Sequence, residues 1–388
     1  MRRIKLVEDT VSQEDLSKLS SWLETGPRLT KSSLTSEFEE NWSEWLGCKH
    51  SVFVNSGSSA NLGIIYGLIV TNKLKNKKIV YPCLSWVTTV SPAIQLGLEP
   101  ILCDADKETL GLDLLHLEII FREQQPSALM LVHALGFPNQ LEKIIRLCEK
   151  YDVVLLEDSC ETVGSTYNGI KTGNFGFASS FSTYFGHHFS TIEGGLICTN
   201  DTDFYNVLKS IRSHGWSRDL DPSVQTELQK KHGIDDFRNL YTFYYPGFNL
   251  RSTDLQAFLG IDQIKKLDNI CMKRNKNYKL YHSLIENNFW KIKDEKFEFV
   301  SNFAYPIIHP ERDKIVKSLT DGGVECRPLI AGNMGKQPFF VERYGERNYP
   351  FADVIHDFGI YLPNHPYLTA EEIVYICDIV NQHTKEKL

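Results

Sequence analysis

The 388-residue sequence has no apolar run long enough to cross a bilayer. The longest uninterrupted one, LGIIYGLIV from Leu62 to Val70, falls far short of the ~20 residues a spanning helix needs, so no membrane association is expected. The opening MRRIKLVEDTVSQED lacks the apolar core of a signal peptide. There is no basic excess. Forty-two Lys and Arg against 49 Asp and Glu leave a formal charge of −7, which argues against nucleic-acid binding but leaves room for an anionic small ligand held by a few arginines. There is no C-x-x-C, and the nine cysteines are scattered singly, the pattern of reduced thiols in a cytoplasmic protein. Cys83, Cys103, Cys160 and Cys198 lie in or beside apolar runs, where a buried inert thiol is expected. No H-E-x-x-H, H-x-x-x-H or clustered Cys/His set points to a metal. The G-x-x-x-x-G-K phosphate loop and the G-x-S-x-G elbow are missing too.

What is present reads as an ordinary soluble chain, 42% apolar and 23% charged. Its length exceeds the ~250–300 residues at which one core stops growing, so two domains are expected, 1–250 and 251–388. Between residues 50 and 200, short apolar runs (HSVFVN, KKIVYP, EPILCD, SALMLVHA, DVVLLEDS, ASSFSTY and GGLICTN) alternate with helix-like segments after VNSGSS and FPNQ. Strands apolar on both faces and separated by helices predict an α/β fold with a mostly parallel sheet covered on both sides. Sites in such sheets form at the carboxyl ends of the strands. From Asp254 to Ile285 the spacing predicts one long amphipathic helix. FEFVSNFAYPII, a helix over Lys314–Asp321, VECRPLI and a terminal helix from Ala370 then suggest a smaller α+β domain.

The polar clusters fall at the strand ends. In VNSGSSANL, Gly57 permits close backbone approach, and Ser58 and Ser59 can cap a helix whose free amides would suit a phosphate; plain capping explains them equally well. Trp86 follows another strand and is either core or a platform for a planar ring. DVVLLEDSCETVGS leaves Glu157, Asp158 and Glu161 at a strand mouth, where a buried carboxylate needs a partner, either a protonated pyridine nitrogen or a lysine or arginine. Asp104 and Asp106 read as turn residues, and His133 as a structural, hydrogen-bonded histidine. SHGWSRD contributes His214 and Arg218, and YPGFNLRSTD contributes Asn249 and Arg251. FSTYFGHHFSTIEGG, from Phe181 to Gly195, sets His187 and His188 side by side ahead of a glycine turn. Two adjacent imidazoles are hard to bury without partners.

In this order the clusters resemble the DegT/DnrJ/EryC1/StrS sugar aminotransferases, fold-type I pyridoxal-phosphate enzymes. The resemblance runs from GPRLTKSSLTSEFEENWSEWLGCKHSVFVNSGSSANL to VECRPLIAGNMGKQPFF. It implies a large cofactor-binding domain with a smaller C-terminal one. It also implies pyridoxal or pyridoxamine 5′-phosphate as cofactor, with Gly57, Ser58 and Ser182 on the phosphate and Trp86 over the ring. Asp158 is implied on the pyridine nitrogen and Glu161 near the ring hydroxyl. Asn249 is implied to reach the phosphate of a neighbouring subunit, hence a homodimer with shared sites.

One position departs from the aminotransferase pattern. Six residues before the glutamate of EGG, where those enzymes carry the lysine that holds the cofactor covalently, stands His187. Two dehydratase branches of the family share the replacement, both with paired histidines. One acts on a CDP-linked 4-keto-6-deoxyglucose with an added iron–sulfur cluster; the other acts on a GDP-linked 4-keto-6-deoxymannose without one, on the way to the dideoxysugar colitose of O-antigens. SHGWSRDL, YPGFNLR and GVECRPLIAGN are more similar to the second, and no cysteine cluster is present to ligate iron. The resemblance therefore implies C3 dehydration of a nucleotide-linked keto sugar, with glutamate restoring the amine form of the cofactor. His187 would move the proton from an ordinary pKa of ~6.5. His188 would hold His187 or simply pack, and is a candidate, with His214, Arg218 and Arg327, for substrate contact. The two arginines would meet the diphosphate or glutamate's carboxylate unless they form surface ion pairs. A CDP-sugar dehydratase, a lysine-free aminotransferase and a non-catalytic sugar-nucleotide sensor are the alternatives.

Overall fold

Each of the seven apolar runs between residues 50 and 200 forms a strand, and all seven join one sheet. The computed structural model describes residues 3–293 and 297–385. In chain order the strands are β1 (His50–Val54), β2 (Lys78–Pro82), β3 (Glu99–Cys103), β4 (Ala128–Val132) and β5 (Val154–Asp158). After a small hairpin of β6 (Thr166–Tyr167) and β7 (Ile170–Lys171) come β8 (Ala178–Ser182) and β9 (Gly195–Thr199). The sheet order is β1-β9-β8-β5-β4-β2-β3. Only β9 runs against its neighbours. That reversal matters for the site, because the β8–β9 loop leaves and re-enters the sheet at the edge where the parallel strands end. Ser182 pairs there with Gly195, and Gly195 with Val54.

Both faces of the sheet are buried, as its continuous apolar strands require. On one face Val52, Ile79, Met130, Leu156 and Ile197 pack against the helices Gly57–Val70, Val87–Gln95 and Thr202–Arg212. On the other, Val80, Leu129 and Leu131 meet the helices Leu114–Gln124 and Leu141–Tyr151. There Phe53, Phe181 and Leu196 meet the helix Ser33–Leu46 and the start of the long helix Asp254–Leu284. Each fully buried side chain of this kind contributes roughly 1.5–3 kcal/mol.

The long helix begins in a capping box: Thr253 Oγ1 accepts from the Gln256 amide, and Gln256 Oε1 accepts from the Thr253 amide. Its second half sends Tyr278 and Tyr281 into the core of a smaller antiparallel sheet. That sheet has the order β10 (Tyr305–Ile308), β12 (Gly359–Leu362), β11 (Arg327–Pro328), backed by the helices Arg312–Asp321 and Ala370–Thr384. We propose the division at residue 251, just ahead of this helix, as the joint between the units. Ile4 nevertheless pairs with Val324 and lies in the small unit's core. No helix of the described residues is long and apolar enough to cross a membrane.

Candidate active site

The carboxyl ends of β1, β2, β5 and β8 converge on one rim. After β1 the chain turns into the helix Gly57–Val70, whose N-cap Ser56 accepts from the Ser59 amide at 3.0 Å. The Gly57 and Ser58 amides lie ahead of the first helical hydrogen bond and are free for an anion, which the helix dipole favours. This turn is pressed against the next strands. A Cβ on Gly57 would sit 2.7 Å from Ser182 Cβ, and one on Gly195 would sit 2.3 Å from Ser56 O and 2.5 Å from Gly57 N. The last glycine of EGG thus leaves room for the β1 turn. Ser58 Oγ donates to Thr88 Oγ1 at 3.0 Å, tying this turn to the segment after β2. There Trp86 caps the helix Val87–Gln95 with its side chain 57% exposed, so of the two readings of this tryptophan the core one is excluded.

At the end of β5, two adjacent carboxylates face opposite sides. Glu157 is fully buried; its Oε2 meets His133 Nε2 at 3.1 Å and accepts from the Gly173 amide, and Oε1 accepts from the Phe175 and Gly176 amides. Burial would raise its pKa, but His133 and the backbone amides outweigh it and hold the carboxyl below its ordinary range. His133 is structural, as expected. Asp158, 6% exposed, has no cation partner among the described residues. Its Oδ2 accepts from Asn61 Nδ2 at 2.8 Å and Thr89 Oγ1 at 2.7 Å, and its Oδ1 from the Cys160 amide at 3.2 Å. Neutral donors orient it without neutralising it, which suits a carboxylate kept for a cationic ring nitrogen. Glu161 is half-buried, with Oε2 accepting from the Leu135 amide at 2.6 Å. Desolvation, with a smaller push from Asp158, raises it to about 8 against the Leu135 bond.

The β8–β9 loop carries the histidine pair, and the two imidazoles part company. His187 is half-buried, its ring 5.3 Å from that of Phe303 and its Nδ1 enclosed without a partner. Burial and then the charge of Arg274 lower its pKa to about 4, against the pull of Asp158. The ordinary value near 6.5 expected for it therefore does not hold, because its surroundings favour the neutral ring. His188 is fully buried, and its Nε2–H donates to Ser301 O at 2.7 Å. As a substrate-contact candidate it is corrected: it ties the loop to the small unit from the packed side.

The remaining candidates divide. Arg327 is exposed on β11 opposite Tyr361, whose ring lies 5.9 Å from Phe303, and so it borders the same rim. His214, Arg218 and Asn249 form a second group, on segments beside the end of β1, where Val54 pairs with Arg251 and the Asn55 amide donates to Leu250 O at 2.9 Å. Arg251 Nε donates to Asn249 Oδ1 at 3.0 Å and its Nη2 lies 3.5 Å from His214 Nε2, while Arg218 stacks on Trp216 at 4.3 Å and on Tyr241 at 4.9 Å. Asn249 and Arg218 are exposed, and among the described residues no hydrogen bond links this group to Asp158 or His187. Asn61, Thr89 and Arg274 escaped the sequence reading. The first two stand one turn into the helices after β1 and β2, a signal that SSANL and SWVTT carried. Arg274 lies mid-helix with none.

Gly57, Ser58, Ser182, Trp86, Asp158 and Glu161 could together hold a flat, phosphorylated pyridine. Among the described residues no group of three or more His, Cys, Asp or Glu is arranged for a metal. The family model described as the DegT/DnrJ/EryC1/StrS aminotransferase family matches residues 9–381. GDP-4-keto-6-deoxy-D-mannose 3-dehydratase of Yersinia pseudotuberculosis is 32% identical, over 98% of this chain and 99% of that one. A crystal structure of GDP-4-keto-6-deoxymannose-3-dehydratase with a trapped PLP–glutamate geminal diamine superposes with a TM-score of 0.88 at 29% identity, covering 97% of this chain and 100% of that one. A mutant of that enzyme with bound GDP-perosamine gives 0.89 at 29% identity, covering 98% and 100%.

Proposed function

The chain belongs to the DegT/DnrJ/EryC1/StrS aminotransferase family, and on that premise we propose that it is a pyridoxamine-phosphate-dependent dehydratase. It removes the C3 hydroxyl of GDP-4-keto-6-deoxy-D-mannose to give GDP-4-keto-3,6-dideoxy-D-mannose. The observation that carries this reading is His187 at the position of the lysine, half-buried and neutral beside an unneutralised Asp158. Net, the sugar loses one oxygen while glutamate becomes 2-oxoglutarate and ammonia, so atoms and electrons balance without another reductant.

When bound, pyridoxamine phosphate supplies an amine for the sugar's C4 ketone and a ring that accepts electrons. Asp158 holds the ring nitrogen protonated, with Asn61 and Thr89 fixing its carboxylate. The Gly57 and Ser58 amides and Ser182 bind the phosphate, Trp86 covers one face, and Glu161 shares a proton with the ring oxygen. His187 is the proton carrier. Neutral at pH 7, it can accept a proton; once charged, an imidazolium with so low a pKa gives that proton up readily to the departing C3 oxygen. Arg327 serves an anionic group of the sugar nucleotide or of glutamate.

The same reading makes the protein a cytoplasmic homodimer. Its support is that Asn249 and Arg218 are exposed and, among the described residues, have no hydrogen bond to Asp158 or His187 of their own chain, so that residues expected at cofactor and substrate can serve the partner's site. Inactive His187→Ala and Asn249→Ala subunits, mixed and exchanged, should regain some activity; inactive heterodimers would rule out composite sites. The substrate is tested by product NMR with glutamate present. A C3 methylene from the GDP sugar supports the reading, whereas turnover of only the CDP-linked 4-keto-6-deoxyglucose, or a product keeping its C3 oxygen, contradicts it.

A further inference from the structure

Arg274 lies in the long helix Asp254–Leu284, 2% exposed, behind the loop that carries the histidine pair. Its Nη2 donates to His187 O at 3.0 Å, and its Nη1 donates to Phe303 O at 3.1 Å and to Asn364 O, with Asn302 O at 3.5 Å. Those carbonyls belong to three segments: the β8–β9 loop, the approach to β10 and the exit from β12. Among the described residues no carboxylate forms an ion pair with it, and its Nε is enclosed without a partner. Burying an unpaired guanidinium is costly.

The Arg274 fork meets four carbonyls, more than the two N–H donors of a neutral amide could reach, but the guanidinium brings a charge that single carbonyl ties do not need. Amides do that work beside it: Asn364 Nδ2 donates to Asn302 O and Arg274 O, and Asn277 Nδ2 to His365 O. The charge is the feature left to explain; it acts on His187, whose backbone the fork bonds, and on His188, His365 and the Cys271 thiol. We infer that Arg274 is a positioning residue for the proposed reaction: its fork fixes the His187 backbone against the small unit, and its permanent charge stands behind the His187 ring.

The groups around His187 support this. Asp158 at the end of β5 favours the charged ring, whereas burial and Arg274 oppose it, and the net effect is the depressed value. His188, neutral and bonded to Ser301 O, adds no charge of its own near pH 7. Tyr184 and Phe303 contribute ring edges at 6.4 and 5.3 Å. Glu161 is raised to about 8 and so is mostly protonated at neutral pH. Arg274 itself, lowered by burial to about 10, stays charged throughout. It is thus the one positive charge of the described residues acting on His187, and it biases the ring toward the form able to accept a proton.

The inference rests on His187 being the proton carrier, so the test has one arm that needs neither cofactor nor substrate. The full chain labelled with ¹³C-histidine is titrated by NMR, the His187 signal being assigned by its loss in His187→Asn. The ring should stay neutral to below pH 5; a midpoint near 6.5 overturns the proposal. In Arg274→Gln the midpoint should rise by about one pH unit, and an unmoved midpoint overturns it. Arg274→Lys keeps the charge and loses the fork. Its midpoint should remain within about 0.3 unit of the parent while kcat falls about tenfold or more. Should the Gln variant not fold, Arg274→Lys decides alone: parental kcat, or a midpoint that moves with the lost fork, overturns the proposal. A normal titration result beside a failed product assay would fault the substrate reading and leave this one standing.

Discussion

Two carboxylate–histidine neighbourhoods sit one residue apart on β5, and they behave in opposite ways. Glu157 and His133 are both fully buried, bonded at 3.1 Å, with backbone amides filling the remaining carboxylate positions. Asp158 and His187 share no hydrogen bond; the carboxylate is held by neutral donors, and the imidazole keeps an unpartnered Nδ1. The first pair is satisfied and can only hold the fold together. The second leaves a cation site and a proton site open on the same rim, and that incompleteness is what chemistry requires.

The comparison breaks most visibly at Glu157. Glu157→Ala strands a buried histidine and three amides, and should cost about 3–5 kcal/mol in urea unfolding, with turnover per folded molecule little changed. Loss of turnover without loss of stability would put Glu157 in the site. Asp158→Asn should invert the pattern, with turnover down about 10²–10³-fold and stability within about 1 kcal/mol of the parent. Near-parental turnover would mean that the ring nitrogen is served elsewhere.

Smaller effects sharpen the picture. Gly195→Ala forces a methyl against Ser56 O and Gly57 N, and should weaken pyridoxal-phosphate binding by about 10–100-fold in fluorescence titrations; unchanged affinity would remove the phosphate from this turn. Glu161 is raised from 4.5 to about 8, so between those values the folded chain binds more protons than the unfolded one, and stability falls as pH rises. In the cofactor-free protein, Glu161→Gln should match the parent near pH 4.5 and exceed it by roughly 1–2 kcal/mol at pH 8, the shift being discounted for partial exposure. A pH-independent difference would contradict the raised value. His187 acts with the opposite sign: lowered from 6.5 to about 4, it costs stability as pH falls through that interval, because the unfolded chain then binds the extra proton.

The strands of the main sheet were legible because their apolar residues run continuously and end in polar turns. The rim followed from those ends, with Asp158 the last residue of β5 and Gly57, Trp86 and His187 in the segments that follow β1, β2 and β8. The small unit was harder to read. Its strands are four, two and four residues long, and β12, its central strand, escaped notice because GIYL is too short to show a period. Asn61 and Thr89 hold Asp158 from helices remote in sequence, and Arg274 reaches the His187 loop across 87 positions. SSANL and SWVTT showed the two polar residues but not the carboxylate they hold, and the Arg274 contact exists only once the two units meet. The depressed pKa of His187 was likewise invisible, because burial and a distant arginine cause it.

The central claim is that histidine at position 187 turns an aminotransferase site into a dehydratase. The most direct test is His187→Lys, incubated with GDP-4-keto-6-deoxymannose and glutamate, with the sugar product read by NMR and the protein by mass after borohydride reduction. A pyridoxyl adduct on the introduced lysine, absent from the parent, is expected, with a trace 4-amino sugar that keeps its C3 oxygen. C3 dehydration by the variant at the parent rate would contradict the claim, because His187 would then not be the group that moves the proton.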